Sequence, residues 1–272
     1  MLVITPPTPP TFGDYLTHLR RVGITEGFPS GEPAVSRPKS SRTTLAADAG
    51  IGVGYLIKLE QGKATNPSPE VVDKLARALG TRDVERQHLH DLAAGEPPTQ
   101  DHRSRPVVTA VHREYADNLH PQLAGYVDEA WNVLYANAEY ARIFREIVSH
   151  GNVLVWFFAA RQSRQIMVEW ETEARLTVAW LRSHMGRRPG NKLFTNVLEE
   201  LARYPDFVRM WERRELLTER HQPDMLIRDL DRGEQLTLLV QVFHFPDPEQ
   251  PLQFYLGTRK NPTREVNVDL TN

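Results

Sequence analysis

The 272-residue chain has no cysteine. Disulfides and thiolate metal sites are therefore excluded, and the composition agrees with a cytoplasmic setting. Long apolar runs are missing too. The longest, Val153 to Ala160, is ended by Arg161, well short of the roughly 18 residues that mark a membrane span. The start, Met1-Leu2-Val3-Ile4-Thr5 followed by prolines, has neither the basic region nor the apolar stretch of a signal peptide, so none is expected. An excess of charge of either sign is missing. A formal net charge of −2 does not announce a nucleic-acid binder. Catalytic signatures are absent as well: there is no phosphate-binding loop, no metalloprotease His pair and no Gly-x-Ser-x-Gly. Gly50-x-Gly52-x-Gly54 lacks the third glycine of a dinucleotide fingerprint, which would fall at Ile57, and no buried strand precedes it. His88-x-His90 would point to different sides of a helix. No enzyme activity, no metal and no cofactor are expected.

What is present is enough length for about two domains, with a 40% hydrophobic content suited to folded cores. The most informative stretch runs from Thr43 to Glu60. It reads as a helix, a tight turn at Gly50 and a second helix. Leu45, Ala49, Leu56 and Leu59 fall where two steeply crossing helices share a core, Ala46 is small where they approach, and Gly50 can take the positive φ of the turn. This is the pattern of a DNA-binding helix-turn-helix. Around it, residues 37 to 63 carry Arg37, Lys39, Arg42, Lys58 and Lys63 against only Asp48 and Glu60, and DNA binding needs a local basic face rather than a basic protein.

The neighbouring segments complete a small helical domain. Residues 12 to 22 read as a first helix with Phe12, Leu16 and Leu19 on one face, and residues 23 to 40, rich in Gly, Pro and Ser, as a long loop. Gly62 is placed to cap the second helix of the motif. Ser68 at an N-cap, Pro69 at the first helical position and Glu70 in the first turn open a helix whose apolar face is Val71, Val72, Leu75, Ala76 and Leu79, with Gly80 as its stop. A fifth helix is expected over roughly 82 to 93, with Val84, Leu89 and Leu92 inward. Residues 10–94 thus form an all-α helix-turn-helix domain of five helices. Residues 95–106 form a linker, where Arg103 and Arg105 fit a solvated hinge or a phosphate contact. Residues 107–260 form a second domain.

The second helix of such a motif lies in the major groove with its N-terminal residues near base edges. Gly52, Val53, Gly54, Tyr55 and Lys58 are therefore expected at or near DNA. Lys58 can donate to guanine, Val53 can meet a thymine methyl, and the two glycines admit close backbone approach. Gly52 also stands where a Ser or Thr cap would be stronger. Arg42, Thr43 and Lys63 are candidates for phosphate contacts. Tyr55 equally fits a core position with its hydroxyl at the rim, Lys63 a plain surface position, and the whole segment a protein-binding helix pair.

The second domain mixes helix and strand. A helix is expected over 107 to 119. Leu123 to Val127 and Trp131 to Ala136 read as strands joined by a turn at 128 to 130. Helices are expected over about 137 to 147, 164 to 185, 192 to 203 and 205 to 215, the second with a buried stripe of Trp170, Ala174, Val178, Leu181 and Met185. Met225 to Leu230 and Gln235 to Phe245 flank a hairpin turn at 231 to 234, Phe245-Pro246-Asp247-Pro248 breaks the chain, and Leu252 to Gly257 is a final strand. The expected class is α+β: a five-stranded antiparallel sheet with its helices together on one face, as in PAS-like sensor domains.

Phe12 to Leu16, Leu45-Ala46 through Gly62-Lys63, and Asn66-Pro67-Ser68-Pro69-Glu70 resemble the XRE (lambda-repressor-like) family. More narrowly, Arg37 to Arg42 after a long loop, with Gly54-Tyr55 and Leu59-Glu60-Gln61-Gly62, is similar to the MmyB-like branch of regulators. In the second domain the resemblance is carried by Trp131 to Asn137, Gly151 to Leu154, Pro205-Asp206-Phe207 with Trp211, and His221-Gln222-Pro223. The family's Arg-Asn pair stands here as Gly151-Asn152, and its His-Pro is interrupted by Gln222. The resemblance implies a transcription regulator that reads double-stranded DNA and a PAS-like domain that binds a hydrophobic small molecule, a fatty acid first among candidates. A homodimer is expected because one monomer reads a limited site and two half-sites roughly 34 Å apart multiply the readout. Trp131, Tyr135, Tyr140, Phe144, Trp156, Phe158, Trp170, Phe207, Trp211 and Phe243 are the pocket candidates, although such aromatics also fill ordinary cores. Arg142, Arg161, Arg175 and Arg220 are candidates to meet a ligand carboxylate. The competing reading is a protein-interaction adaptor with a degenerate helix-turn-helix and no ligand.

Overall fold

Thr11, Ser41 and Ser68 each start a helix in the computed structural model, which describes residues 7–22, 24–25, 35–36, 39–95, 106–217, 224–245 and 252–260. Their hydroxyls accept the orphan amides of the first turn, opening α1 (Phe12–Arg21), α2 (Arg42–Asp48) and α4 (Pro69–Leu79). Between α2 and α4 lies α3 (Val53–Glu60), whose N-cap Gly52 supplies no side-chain bond. α5 (Asp83–Ala94) closes the helical domain. Helices of seven and eight residues such as α2 and α3 do not persist alone. Burial of Leu16, Leu45, Leu56, Leu59, Leu75 and Leu89, all 0% exposed, holds them, at roughly 1.5–3 kcal/mol for each fully buried leucine.

Gly50 adopts φ +63 in the turn between α2 and α3. Gly13 has a different task. A Cβ there would sit 2.7 Å from the carbonyl oxygens of Leu59 and Glu60, so only glycine lets α1 lie against the end of α3. The stretch read as one loop contains a short antiparallel pair, β1 (Ile24–Thr25) with β2 (Val35–Ser36). The expected contents of its tip, Gly27 to Pro33, the Arg37-Pro38 step and the linker residues Arg103 and Arg105 lie outside the described residues.

The second domain opens with α6 (Ala110–Asn118), β3 (Leu123–Val127) and β4 (Val133–Ala136). Next come α7 (Ala138–Ile143), α8 (Ile147–His150), α9 (Val153–Ala159), α10 (Ser163–Ile166), α11 (Trp170–Arg187), α12 (Lys192–Leu201) and α13 (Pro205–Glu212). It ends with β5 (Asp224–Asp229), β6 (Glu234–His244) and β7 (Gln253–Arg259). The strands form one antiparallel five-stranded sheet in the order β4-β3-β7-β6-β5. The residues expected to break the chain at Pro246 to Pro248 lie outside the described residues.

Several expectations need correction. The helices do not all share one face. α6 covers the opposite side, where Ala116 packs with Ala124, Tyr126, Leu252 and Phe254, while α7 to α13 build the larger core on the other face. Trp131 is not in a strand: it has φ +65 in a turn whose backbone amides, from Ala130 and Asn132, donate to the Asp128 carboxylate at 2.9 Å. The helix expected over 137 to 147 ends at Ile143, Glu146 is left-handed at φ +66 before α8 begins, and Asn137 is its cap rather than its first turn. The helix expected from 164 is interrupted because Met167 bridges Ile227 and the Val168 amide donates to Leu226 of β5. α9 was not anticipated at all. Val153 to Phe157 are all buried, so the segment carries no polar face from which a helical period could be read. The stripe on α11 is as expected, with Trp170, Ala174, Val178, Leu181 and Met185 all under 9% exposed.

Candidate nucleic-acid interface and ligand cavity

The outer face of α3 is open. Gly52, Val53, Gly54, Tyr55, Lys58 and Lys63 are exposed, as is Thr43 on α2. Tyr55 at 37% exposure is a surface residue and not a core one. Neither Gly52 nor Gly54 has a positive φ, and a Cβ at either would meet nothing within 4 Å. Among the described residues no packing requires glycine at these positions, and glycine weakens a helix.

Arg42 has internal work beyond the phosphate contact expected of it. Its Nε donates to Glu60 at 2.6 Å, and Arg20 donates to the other oxygen of the same carboxylate at 2.5 Å and to the Ser40 carbonyl at 3.1 Å. The Glu60 side chain is 1% exposed, against 42% for Arg42. Burial pushes the Glu60 carboxyl up, but hydrogen bonds and charge from Arg20 and Arg42 outweigh it and hold the group ionised below the usual range. The triad ties α1, α2 and α3 together and thereby orients the exposed face.

The two histidines of α5 separate as the helical spacing implies. His90 meets Asp73 at 2.8 Å. His88 is buried, with no hydrogen-bond partner on either ring nitrogen among the described residues. It packs edge-on to Tyr15 at 4.8 Å, and burial, aided by the charges of Arg182 and Arg187, lowers its pKa to about 3, so the ring is neutral. Among the described residues no group of His, Asp and Glu is arranged to hold a metal, and no helix is long and apolar enough to cross a membrane.

In the second domain a cavity of about 520 Å³ opens between the sheet and the helices α7, α9 and α11. Of the aromatics singled out in the sequence, Trp131, Tyr140, Phe144, Trp156 and Phe243 line it. Their rings meet edge to face: Tyr140 on Phe144 at 5.1 Å and Phe144 on Trp156 at 5.5 Å. Trp131 stands against Trp180 at 4.9 Å. Burial pushes the Tyr140 hydroxyl well up, so it stays protonated. Trp180 is stacked at 3.7 Å by His184, whose pKa burial lowers to about 4.

The other candidates sit elsewhere. Phe158, Trp170, Phe207 and Trp211 form a separate aromatic cluster, with Phe158 5.7 Å from Trp170 and Phe207 5.6 Å from Trp211. Tyr135 points to the α6 side and donates to Asp117 at 2.8 Å. These five pack the domain and do not line the cavity. Sequence reasoning missed Leu217, Val240, Gln253 and Tyr255, which do. For the strand residues the alternation of side chains was available as a signal, but not which parity faced the void.

None of the four arginines offered for a carboxylate lines the cavity among the described residues. Arg142 is committed to Glu139, Asp229 and Asp231, and Arg175 to Glu215. Arg161 is exposed, and Arg220 lies outside the described residues together with His221-Gln222-Pro223. Asn152 is a structural tie. Its oxygen accepts the amides of Leu154 and Val155, and its nitrogen donates to the Ala130 carbonyl. Among the described residues, Trp131 Nε1 and Gln253 Oε1 at the cavity wall have no hydrogen-bond partner. Buried polar atoms are rarely left so, and a ligand's polar end would satisfy them.

Two family models match this arrangement. Residues 11–89 match a helix-turn-helix domain, and residues 108–270 match the MmyB-like transcription regulator ligand binding domain. No curated protein matches the chain. With an exposed second helix in one matched region and an aromatic cavity in the other, the chain belongs to the MmyB-like transcription regulators: a DNA-binding helix-turn-helix joined to a ligand-binding domain.

Proposed function

We propose that the protein is a cytoplasmic, sequence-specific DNA-binding transcription regulator that acts as a homodimer and binds a hydrophobic small molecule in its second domain. The observation that carries the ligand half is the aromatic cavity of about 520 Å³, a volume within the usual range of small-molecule sites. A fatty acid suits its apolar walls. The described lining contains no Lys or Arg, and an unpaired buried carboxylate is costly. A protonated acid or the matching alcohol therefore suits Trp131 and Gln253 better than an ionised head. The dimer is supported by Val107, Val111 and Tyr115, spaced four apart and exposed at 59%, 72% and 57%, since large contiguous apolar patches on a protein surface mark interaction sites. Native mass spectrometry with lauric acid and lauryl alcohol reads both points. A bound mass on a dimer is expected, and a ligand-free mass under every condition overturns the ligand half.

The DNA half rests on the open start of α3. Lys58→Ala is expected to weaken a selected duplex by about 1–3 kcal/mol while leaving random DNA less affected. Gly54→Ala should stabilise the protein by roughly 0.5–1 kcal/mol, because the glycine is in a helix, and yet weaken DNA binding, because the added methyl holds the backbone away from the groove. Salt-dependent binding isotherms together with urea melts separate the two effects. The adaptor reading draws on the exposed Val53 and Tyr55, and it gains if neither substitution changes DNA binding.

A further inference from the structure

Two consecutive leucines belong to different cores. Leu216, 1% exposed, packs in the core of the helix-turn-helix domain. Leu217, 4% exposed, packs in the core of the second domain and lines the cavity. One short stretch of backbone outside any helix or strand is thus both a wall of the cavity and a part of the DNA-binding domain. It is held at several points. Arg214 donates to the Asp14 carbonyl of α1 at 2.7 Å. Glu215 pairs with Arg175 of α11. The Leu217 amide donates to the buried Ser183 hydroxyl of α11 at 3.1 Å.

α11 makes the second connection. Thr177 and Trp180 on this helix line the cavity. In its last turn Gly186 receives the ring of His88 so closely that a Cβ there would lie 2.3 Å from the ring's Cε1. Arg187 faces Asp91 of α5 at 3.6 Å.

We propose that this joint, Leu216–Leu217 together with the α11–α5 contact, carries the occupancy of the cavity to the DNA-binding domain. The inference rests on reading the cavity as a ligand site and α3 as the DNA reader. A ligand that shifts Leu217 or Trp180 also moves the backbone that anchors Leu216 or the seat of His88. Close-packed interiors answer such shifts by changing between discrete arrangements and not by yielding locally. The two sites are then coupled, and the coupling is reciprocal: DNA changes ligand affinity by the factor by which ligand changes DNA affinity.

The test needs no identified ligand. Val240→Trp, with Val240→Phe as a milder filler, puts a ring into the cavity from β6, a strand that takes no part in the joint. The full chain is titrated against a duplex enriched from a random library by the wild type. The filler is expected to change the apparent Kd by about 5-fold or more. That change should vanish in Leu216→Ala and Gly186→Ala backgrounds. Gly186→Ala forces the His88 ring aside while removing no side chain from either core, so it serves if Leu216→Ala does not fold. A filler effect that persists undiminished in the Gly186→Ala background overturns the proposal, and so does a filler without effect in the wild type. A wild type that enriches no duplex refutes the DNA-reading assignment instead. The joint is then read by hydrogen exchange of the α5 amides. Their exchange should respond to the filler and lose that response in Gly186→Ala, and exchange indifferent to the filler overturns the proposal.

Discussion

Glu60→Ala is expected to cost about 3–5 kcal/mol, because it leaves the buried Arg20 guanidinium without its counter-charge. The Arg20 side chain is 9% exposed and, among the described residues, keeps only the Ser40 carbonyl. Arg42→Ala should cost far less, since Arg42 is partly exposed and Arg20 remains to satisfy Glu60. All five tryptophans, Trp131, Trp156, Trp170, Trp180 and Trp211, lie in the second domain. Tryptophan fluorescence therefore follows that domain, and far-ultraviolet circular dichroism follows both. In urea, Glu60→Ala should move the dichroism transition down and leave most of the fluorescence transition in place. DNA binding should fall for every sequence alike, because the triad positions α3 as a whole. An unchanged dichroism midpoint would show that packing alone orients the recognition helix. Acid should act in the same direction. The Glu60 carboxyl is held below its ordinary value in the folded state, so its contribution is present above the unfolded pKa and is lost as pH falls through the folded one.

Arg142→Ala is expected to unfold the second domain more readily, by about 3 kcal/mol, and not to discriminate between ligands. Arg142 donates to Glu139 and to Asp229, whose side chains are 6% and 0% exposed. Its loss strips a counter-ion from two buried carboxylates, although Asp229 keeps the amides of Asp231 and Arg232 and Glu139 keeps Arg259. Hydrogen bonding from Arg142, with those amides and against a smaller cost of burial, holds Asp229 far below the ordinary aspartate range. A depressed folded pKa stabilises above the unfolded value, so the wild-type domain should weaken as pH falls below about 4, and the variant should lose less over the same interval. Fluorescence-detected urea melts across that interval measure both effects. If Arg142 instead served a ligand carboxylate, the variant would keep its midpoint and lose binding of lauric acid but not of lauryl alcohol.

The first domain was legible because its signals act over a few residues. Ser68 and Pro69 start α4 and Gly80 ends it whatever surrounds them, and Gly50 breaks α2 from α3 for the same reason. The Glu60 triad was not legible: Arg20 lies 40 positions away, and nothing local distinguishes it from a surface arginine. In the second domain the strands announced themselves by alternation, whereas α9 did not, because a segment buried on all sides has no polar face to give it a period.

The sequence by itself determined that there is a helix-turn-helix, that Lys58, Gly52 and Gly54 lie on its outward side, and that five strands follow with aromatics among them. Only the tertiary structure decided which aromatics meet. Phe254 and Tyr255 are neighbours on β7, yet the first packs under α6 and the second faces the cavity. Leu216 and Leu217 divide between two domains in the same way. In both pairs the chain permits two assignments. The choice belongs to whichever helices cover each side, and those helices come from segments tens of residues away, whose packing no local pattern encodes.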